Sequence, residues 1–300
     1  MHHCMLVINP TAGKETALAY EKDLTRALMA HFDQVTVRYT KKAGDASLLA
    51  LEADRMGCDC YYVVGGDGTL NEAVNGLAQL AKPLVFGFLP MGTVNDLARV
   101  LSIPLAPDQA IASLADFETR PLDIGRVNDQ YFVNVIAIGA IPQAVVNTSI
   151  ADKSKYGFLA YVKDGINGFL NSRPVDFYLQ IDNFDRRLHT AMIIITLTNS
   201  VGSFENMVKE ARPDDGKLHL LSLEHDNLFR VSPDIIPQFF RGSLSDVEGL
   251  TYHQAKKIVI EADQAYEANV DGDPGPSLPL EIEVLPSFLQ VIMPKGQGHI

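Results

Sequence analysis

Gly65-Gly66-Asp67-Gly68-Thr69 is the segment of this 300-residue chain whose residue types most constrain its chemistry. Its glycines let the backbone approach an anion closely, and a following helix would add free N–H groups and a partial positive charge. That combination suits phosphate. Gly92-Thr93 offers the same arrangement less emphatically, with a hydroxyl added, and Asn9-Pro10-Thr11-Ala12-Gly13 is a third turn of this kind. Asp67 is the informative residue. A carboxylate inside a phosphate cradle repels the phosphate unless a cation lies between them. Mg²⁺ fits, being hard, oxygen-seeking and usually shared between one or two carboxylates and substrate phosphates. Asp96 is a second acid beside such a turn and Asp123 a third; taken singly, either would also serve as a helix or turn cap. No G-x-x-x-x-G-K-[ST] occurs, which rules out a Walker-type loop, and Gly66-x-Gly68-x-x-Asn71 breaks the dinucleotide fingerprint at its third glycine.

These turns need elements to hold them. Met5–Ile8, Val35–Tyr39, Cys60–Val64 and Leu84–Leu89 read as strands, and helical spacing links Ala17 to Phe32, Leu48 to Met56 and Leu70 to Leu77, with Asp45 expected as an N-cap. Strand alternating with helix predicts a parallel sheet covered on both faces, where ligands bind beyond the carboxyl ends of the strands. After Pro121 the texture changes. Leu122–Val127 and Tyr131–Ile138 read as strands joined at Asn128-Asp129-Gln130. Further strands are expected at Val175–Ile181, Leu188–Thr198, Leu218–Leu223, Lys257–Glu261, Leu280–Val284 and Phe288–Met293, and helices only near 156–170 and 233–240. The expectation is an α/β nucleotide-binding domain with a mostly parallel sheet, plus a β-rich, antiparallel, sandwich-like second domain.

Composition bounds the function. Apolar residues at 47% and charged residues at 21% are ordinary globular values. A net charge of −12 argues against a nucleic-acid partner and against adhesion to anionic membranes by charge alone. No run reaches the roughly 18 apolar residues of a membrane helix. Cys4, Cys58 and Cys60 make no disulfide framework and read as core thiols in a reducing, cytoplasmic setting. Lys41-Lys42, Arg186-Arg187 and Lys256-Lys257 read as solvated faces.

Gly65-Gly66-Asp67-Gly68-Thr69-Leu70-Asn71-Glu72 and Leu89-Pro90-Met91-Gly92-Thr93-Val94-Asn95-Asp96-Leu97-Ala98-Arg99 together resemble the diacylglycerol kinase catalytic-domain superfamily, in its soluble bacterial lipid kinase form. Asn9 to Gly13, Leu122-Asp123-Ile124-Gly125 and Val270-Asp271-Gly272-Asp273-Pro274 match further motifs in the family's order, so the resemblance spans nearly the whole chain. It implies an ATP-binding kinase domain over 1–121 and 287–300 and a lipid-substrate domain over 122–286. It implies ATP as co-substrate, held by Asn9, Pro10, Thr11, Ala12, Gly13, Thr40, Gly66, Asp67, Gly68, Thr69, Leu70, Asn71, Glu72 and Thr93. It implies Mg²⁺ as cofactor, with Asp67, Asp96 and Asp123 organising the catalytic ion and Arg212, Asp215 and Lys217 a structural one. The plain alternative for Asp214-Asp215-Gly216 is a β-turn.

The implied reaction moves the γ-phosphate of ATP to a hydroxyl of diacylglycerol or a related lipid. A base must receive the hydroxyl proton. Family position points to Asp273, with Asp271 close behind. Here the chain departs from the family, whose third motif residue is usually Glu; Asp is shorter by one methylene, roughly 1.5 Å. Two other readings stay open: a kinase of NAD, and a non-catalytic lipid- or nucleotide-binding homologue. The lipid would be met at a membrane surface by a cytoplasmic protein, peripheral at the inner face, and a homodimer is left open.

Overall fold

The computed structural model describes residues 2–139, 174–200, 208–224 and 250–296. The helices expected near 156–170 and 233–240 lie outside the described residues. The first half alternates as anticipated: β1 (His3–Ile8), α1 (Ala12–Glu15), α2 (Glu21–Met29), β2 (Gln34–Tyr39), α3 (Asp45–Arg55), β3 (Cys60–Gly65), α4 (Asp67–Leu77), β4 (Val85–Pro90), α5 (Asp96–Val100) and α6 (Pro107–Ser113). Strands β2, β1, β3 and β4 lie side by side in that order, all parallel. β3 is buried along its full length, which explains why Cys60–Val64 reads as an unbroken apolar run rather than an alternating one. Cys4 in β1, Cys60 in β3 and Cys58 just before β3 are free and buried. Burial pushes the Cys58 thiol up to about 11.

The remaining strands are β5 (Phe117–Val127), β6 (Gln130–Phe132), β7 (Val135–Gly139), β8 (Val175–Ile181), β9 (Phe184–Thr196), β10 (Leu218–Glu224), β11 (Leu250–Ala255), β12 (Lys257–Ala262), β13 (Glu267–Val270), β14 (Asp273–Ser277) and β15 (Leu280–Pro294). Apart from β15 on β4, their pairings are antiparallel. Two hydrophobic cores result. One gathers Leu6, Val63, Phe88, Ile124 and Val291; the other gathers Phe132, Ile136, Phe177, Ile195, Ile258 and Ile282. Strands β5 and β15 run through both. Val127 and Ile282 pair beside the second core, and Leu122 and Leu289 pair beside the first.

Three local expectations are corrected. Leu280–Val284 and Phe288–Met293 are one strand, β15, whose register against β5 shifts between Leu285 and Leu289, where Ser287 takes φ 52°. Tyr131–Ile138 is two strands, because the chain turns a corner at Val133-Asn134. The N-cap of α3 is Gly44, in the left-handed region, while the Asp45 carboxylate accepts from the backbone N–H of Lys41 (2.8 Å) and Lys42 (3.0 Å). Among the described residues no helix is long and apolar enough to cross a membrane.

Helices α3 and α4 pack through Gly76. A Cβ there would lie 2.6 Å from the Ser47 carbonyl oxygen and 2.8 Å from Ala50 Cβ. Gly76→Ala is therefore expected to destabilise the protein by about 1–3 kcal/mol by overpacking. Urea denaturation checks this; an unchanged midpoint would refute close helix contact at Gly76.

Candidate active site

The three turns named above meet at the carboxyl ends of β1, β3 and β4, and hydrogen bonds wire them together. Asn9 Nδ2 donates to Thr69 Oγ1 (3.0 Å), while Asn9 Oδ1 accepts from the Thr11 backbone N–H (3.1 Å) and hydroxyl (2.9 Å). The Met91 N–H donates to the Gly65 carbonyl (2.8 Å), and the Gly13 N–H donates to the Met91 carbonyl (3.2 Å). Contact is closest at glycine. A Cβ on Gly66 would lie 3.2 Å from Gly92 Cα, and one on Gly92 would lie 2.6 Å from Asp67 Oδ2. Thr40 follows β2 beside these turns, its N–H on the Ile8 carbonyl (3.0 Å). Thr93 is exposed between Gly92 and Asn95.

Within the 66–72 segment the side chains divide. Asp67 opens α4, and Gly68 is exposed in its first turn. Leu70 is buried. Asn71 Nδ2 donates to Asp271 Oδ2 (2.9 Å), and its Oδ1 accepts from Asn75 Nδ2 (3.0 Å). Glu72 Oε2 accepts the Ala46 N–H (3.3 Å) in the first turn of α3. The side chains of Leu70, Asn71 and Glu72 thus support the turn from behind.

The acids fall into two neighbourhoods. Asp67 Oδ2 accepts the Asn95 N–H (3.2 Å), and Asn95, itself left-handed at φ 53°, brackets Gly92 through both ends of its amide (2.8 and 2.9 Å). Burial pushes the Asp67 carboxyl above the usual aspartate range, and the nearby Asp96 charge adds to that. Asp96 is buried and accepts from Ser200 Oγ (2.9 Å). Asp123 is also buried, but its oxygens accept from the Gly216 and Ser287 N–H groups (2.6 Å each), beside Asp214 and Asp215. Burial raises its pKa too. Asp123 ties β5 to the 213–216 loop and to the register shift in β15. Among the described residues no three His, Cys, Asp or Glu side chains stand together as a metal site. Asp67, near enough to Asp96 to feel its charge, is of the hard oxygen type that could hold a cation completed by phosphate oxygens and water.

The 212–217 loop is held from within. Asp215 Oδ2 accepts the Arg212 N–H (3.2 Å) and faces the Nε2 of buried His219 (2.9 Å), and its Oδ1 accepts the Lys217 N–H (2.9 Å). Among the described residues these contacts take three of a carboxylate's roughly four acceptor positions.

Asp271 and Asp273 differ sharply. Asp271 (φ 51°) and Gly272 (φ 96°) are the central pair of a two-residue hairpin turn between β13 and β14, flanked by the Val270–Asp273 pair. The Asp271 carboxylate folds back on the β6–β7 corner. Its Oδ1 accepts the N–H groups of Asn134 (2.9 Å) and Val135 (2.8 Å), and its Oδ2 accepts those of Val133 (2.8 Å) and Asn71. Burial pushes its pKa up and these four bonds pull against it. Asp273 is exposed, and its Oδ2 lies 3.8 Å from where a Gly68 Cβ would be. Sequence reading missed Asn95, Asn134 and Ser200 as supports. It also passed over Asp-Gly as a hairpin signal, because Pro274 and Pro276 masked β14; an edge strand tolerates them.

The diacylglycerol kinase catalytic domain matches residues 3–127, and the YegS C-terminal NAD kinase beta sandwich-like domain matches residues 135–293. The diacylglycerol kinase of Bacillus subtilis is 33% identical over 308 residues, an alignment covering 100% of this chain and 99% of that one. The chain belongs to the diacylglycerol kinase family. A further member, the diacylglycerol kinase of Staphylococcus haemolyticus, is 34% identical over 296 residues, covering 98% of this chain and 89% of its own. A solved diacylglycerol kinase from Bacillus anthracis str. Sterne is 22% identical with a TM-score of 0.76, covering 97% of each chain, a likeness of fold. Membership places the protein among lipid kinases, which use ATP and typically a divalent metal ion.

Proposed function

We propose that the protein transfers the γ-phosphate of ATP to a hydroxyl of diacylglycerol or a related lipid alcohol, with Asp273 as the base. The observation that carries this is the Asp273 carboxylate standing, unengaged by other described side chains, over the phosphate-type turn at Gly68. Backbone N–H groups of Gly66–Thr69 and the start of α4 hold the phosphates, and Asn9–Gly13, Thr40 and Thr93 border the nucleotide. Asp67, backed by Asp96, would hold Mg²⁺, which when bound neutralises charge on the transferring phosphoryl group. Asp123 braces the β5–β15 junction behind this site. Arg212, Asp215 and Lys217 are proposed as a second, structural cation site. Asp273 accepts the hydroxyl proton as the oxygen attacks phosphorus and the bond to ADP breaks.

We divide the chain into a nucleotide domain (1–121 with 287–300) and a lipid domain (122–286), a division the two cores support except that Leu122, Ile124 and Val133 pack into the first. The acceptor would be met at a membrane surface, by peripheral contact. Labelled ATP, MgCl₂ and a panel of lipids with NAD test the reading: label should enter a chloroform-soluble product. Label on NAD, or ATP binding without transfer, would refute it. Asp273→Glu, which lengthens the side chain by roughly 1.5 Å, is expected to keep kcat within about 10²-fold of the parent. Complete loss in that variant would mean that a carboxylate at this position is not enough.

A further inference from the structure

We infer that Asp271 is a positioning residue, which bolts the hairpin carrying Asp273 to α4 through Asn71 and so sets the base over the phosphate turn. This rests on the reading of Asp273 as the base. Three features carry it. An ionised carboxylate has about four acceptor positions, and Asp271 meets four N–H donors, so none is open to take a proton from a substrate hydroxyl. All four donors come from outside the hairpin. Three are successive backbone N–H groups of the β6–β7 corner, and the fourth is Asn71.

The second feature is spacing. Gly68 and Asn71 are three residues apart on α4 and share a face, separated by about 4.5 Å along the helix. Asp273 meets α4 at Gly68 and Asp271 meets it at Asn71. The hairpin is therefore docked along one helix face by two aspartates, one acting on the other's placement. The third feature is reinforcement. Asn75, one turn beyond Asn71, donates to the Tyr131 carbonyl (2.9 Å) and accepts the Tyr131 N–H (2.9 Å), so α4 also grips the strand leading into the corner. Helix, corner and hairpin form one unit, and the Asn71–Asp271 bond joins segments 200 residues apart.

The test compares Asn71→Ala, Asp271→Asn, the exchanged pair Asn71→Asp with Asp271→Asn, and Asp273→Asn in the full chain. A misplacement of about 1 Å costs on the order of 10²-fold in rate. Asn71→Ala and Asp271→Asn should each lower kcat by about that factor. Their ATP dissociation constants should stay within about threefold, and both should retain the acid limb of the kcat–pH profile. Asp273→Asn should lose that limb. The exchanged pair should recover at least about tenfold over Asp271→Asn alone, because the bond re-forms with donor and acceptor reversed. Loss of the acid limb in Asp271→Asn would make Asp271 the base and overturn the inference, as would parental kcat in Asn71→Ala. If Asp271→Asn does not fold, Asn71→Ala, which leaves the three backbone bonds in place, decides alone. Parental kcat in Asp273→Asn, or no lipid labelling by the parent, would instead overturn the reading beneath it.

Discussion

Asp273→Asn is expected to lower kcat for lipid phosphorylation by about 10²–10⁴-fold, the range for losing a general base. The amide has nearly the shape of the carboxylate but cannot accept the hydroxyl proton. Asp273 is exposed and forms the first pair of β14 through its backbone, so the hairpin does not depend on its charge. Melting temperature and ATP affinity should therefore match the parent. Steady-state kinetics with MgATP and dispersed diacylglycerol measure the effect. A variant that turns over at the parental rate would remove Asp273 from the chemistry.

Asp67→Asn is expected to cost about 10²–10³-fold in kcat, the scale of losing one preorganised electrostatic contact at a reacting phosphoryl group. Half-saturation by Mg²⁺ at fixed ATP should move to higher concentration. Stability should move the other way. Burial and the Asp96 charge both disfavour the ionised Asp67 carboxylate in the folded protein, so an uncharged amide relieves the fold. The Asn95 N–H keeps an acceptor. Without ligands the variant should melt at or above the parental temperature, and the rise produced by Mg²⁺ with ATP should shrink. A lower melting temperature with unchanged magnesium dependence would show Asp67 to be a structural acid. The opposed effects are those of a site held strained for its ligand.

Much of the nucleotide side was legible in the sequence because its signals are local. An apolar run followed by Gly-rich turn and helix periodicity needs only a dozen or so residues to be read, and β1, β3 and β4 with their turns lie where such reading puts them. The second half was less legible. Tyr131–Ile138 carries the composition of one strand, yet Asp271, more than 130 residues on, draws in the N–H groups at Val133, Asn134 and Val135 and turns it into a corner. Pro274 and Pro276 argue against a strand until the edge position of β14 is known. The role of Asp123 depends on Gly216 and Ser287, which no local pattern connects to it.

By itself, then, the sequence determined the residue types of the phosphate turns, the alternation that places them at strand ends, and the motif order that marks the family. Only the tertiary structure decided what each acid meets. Asp67 stands near Asp96, Asp123 with the 213–216 loop, Asp271 with Asn71, and Asp273 over Gly68. The reason is physical. Turn and helix preferences act over a few residues. A carboxylate's pKa and its free acceptor positions are set by whatever the packing of two cores brings against it.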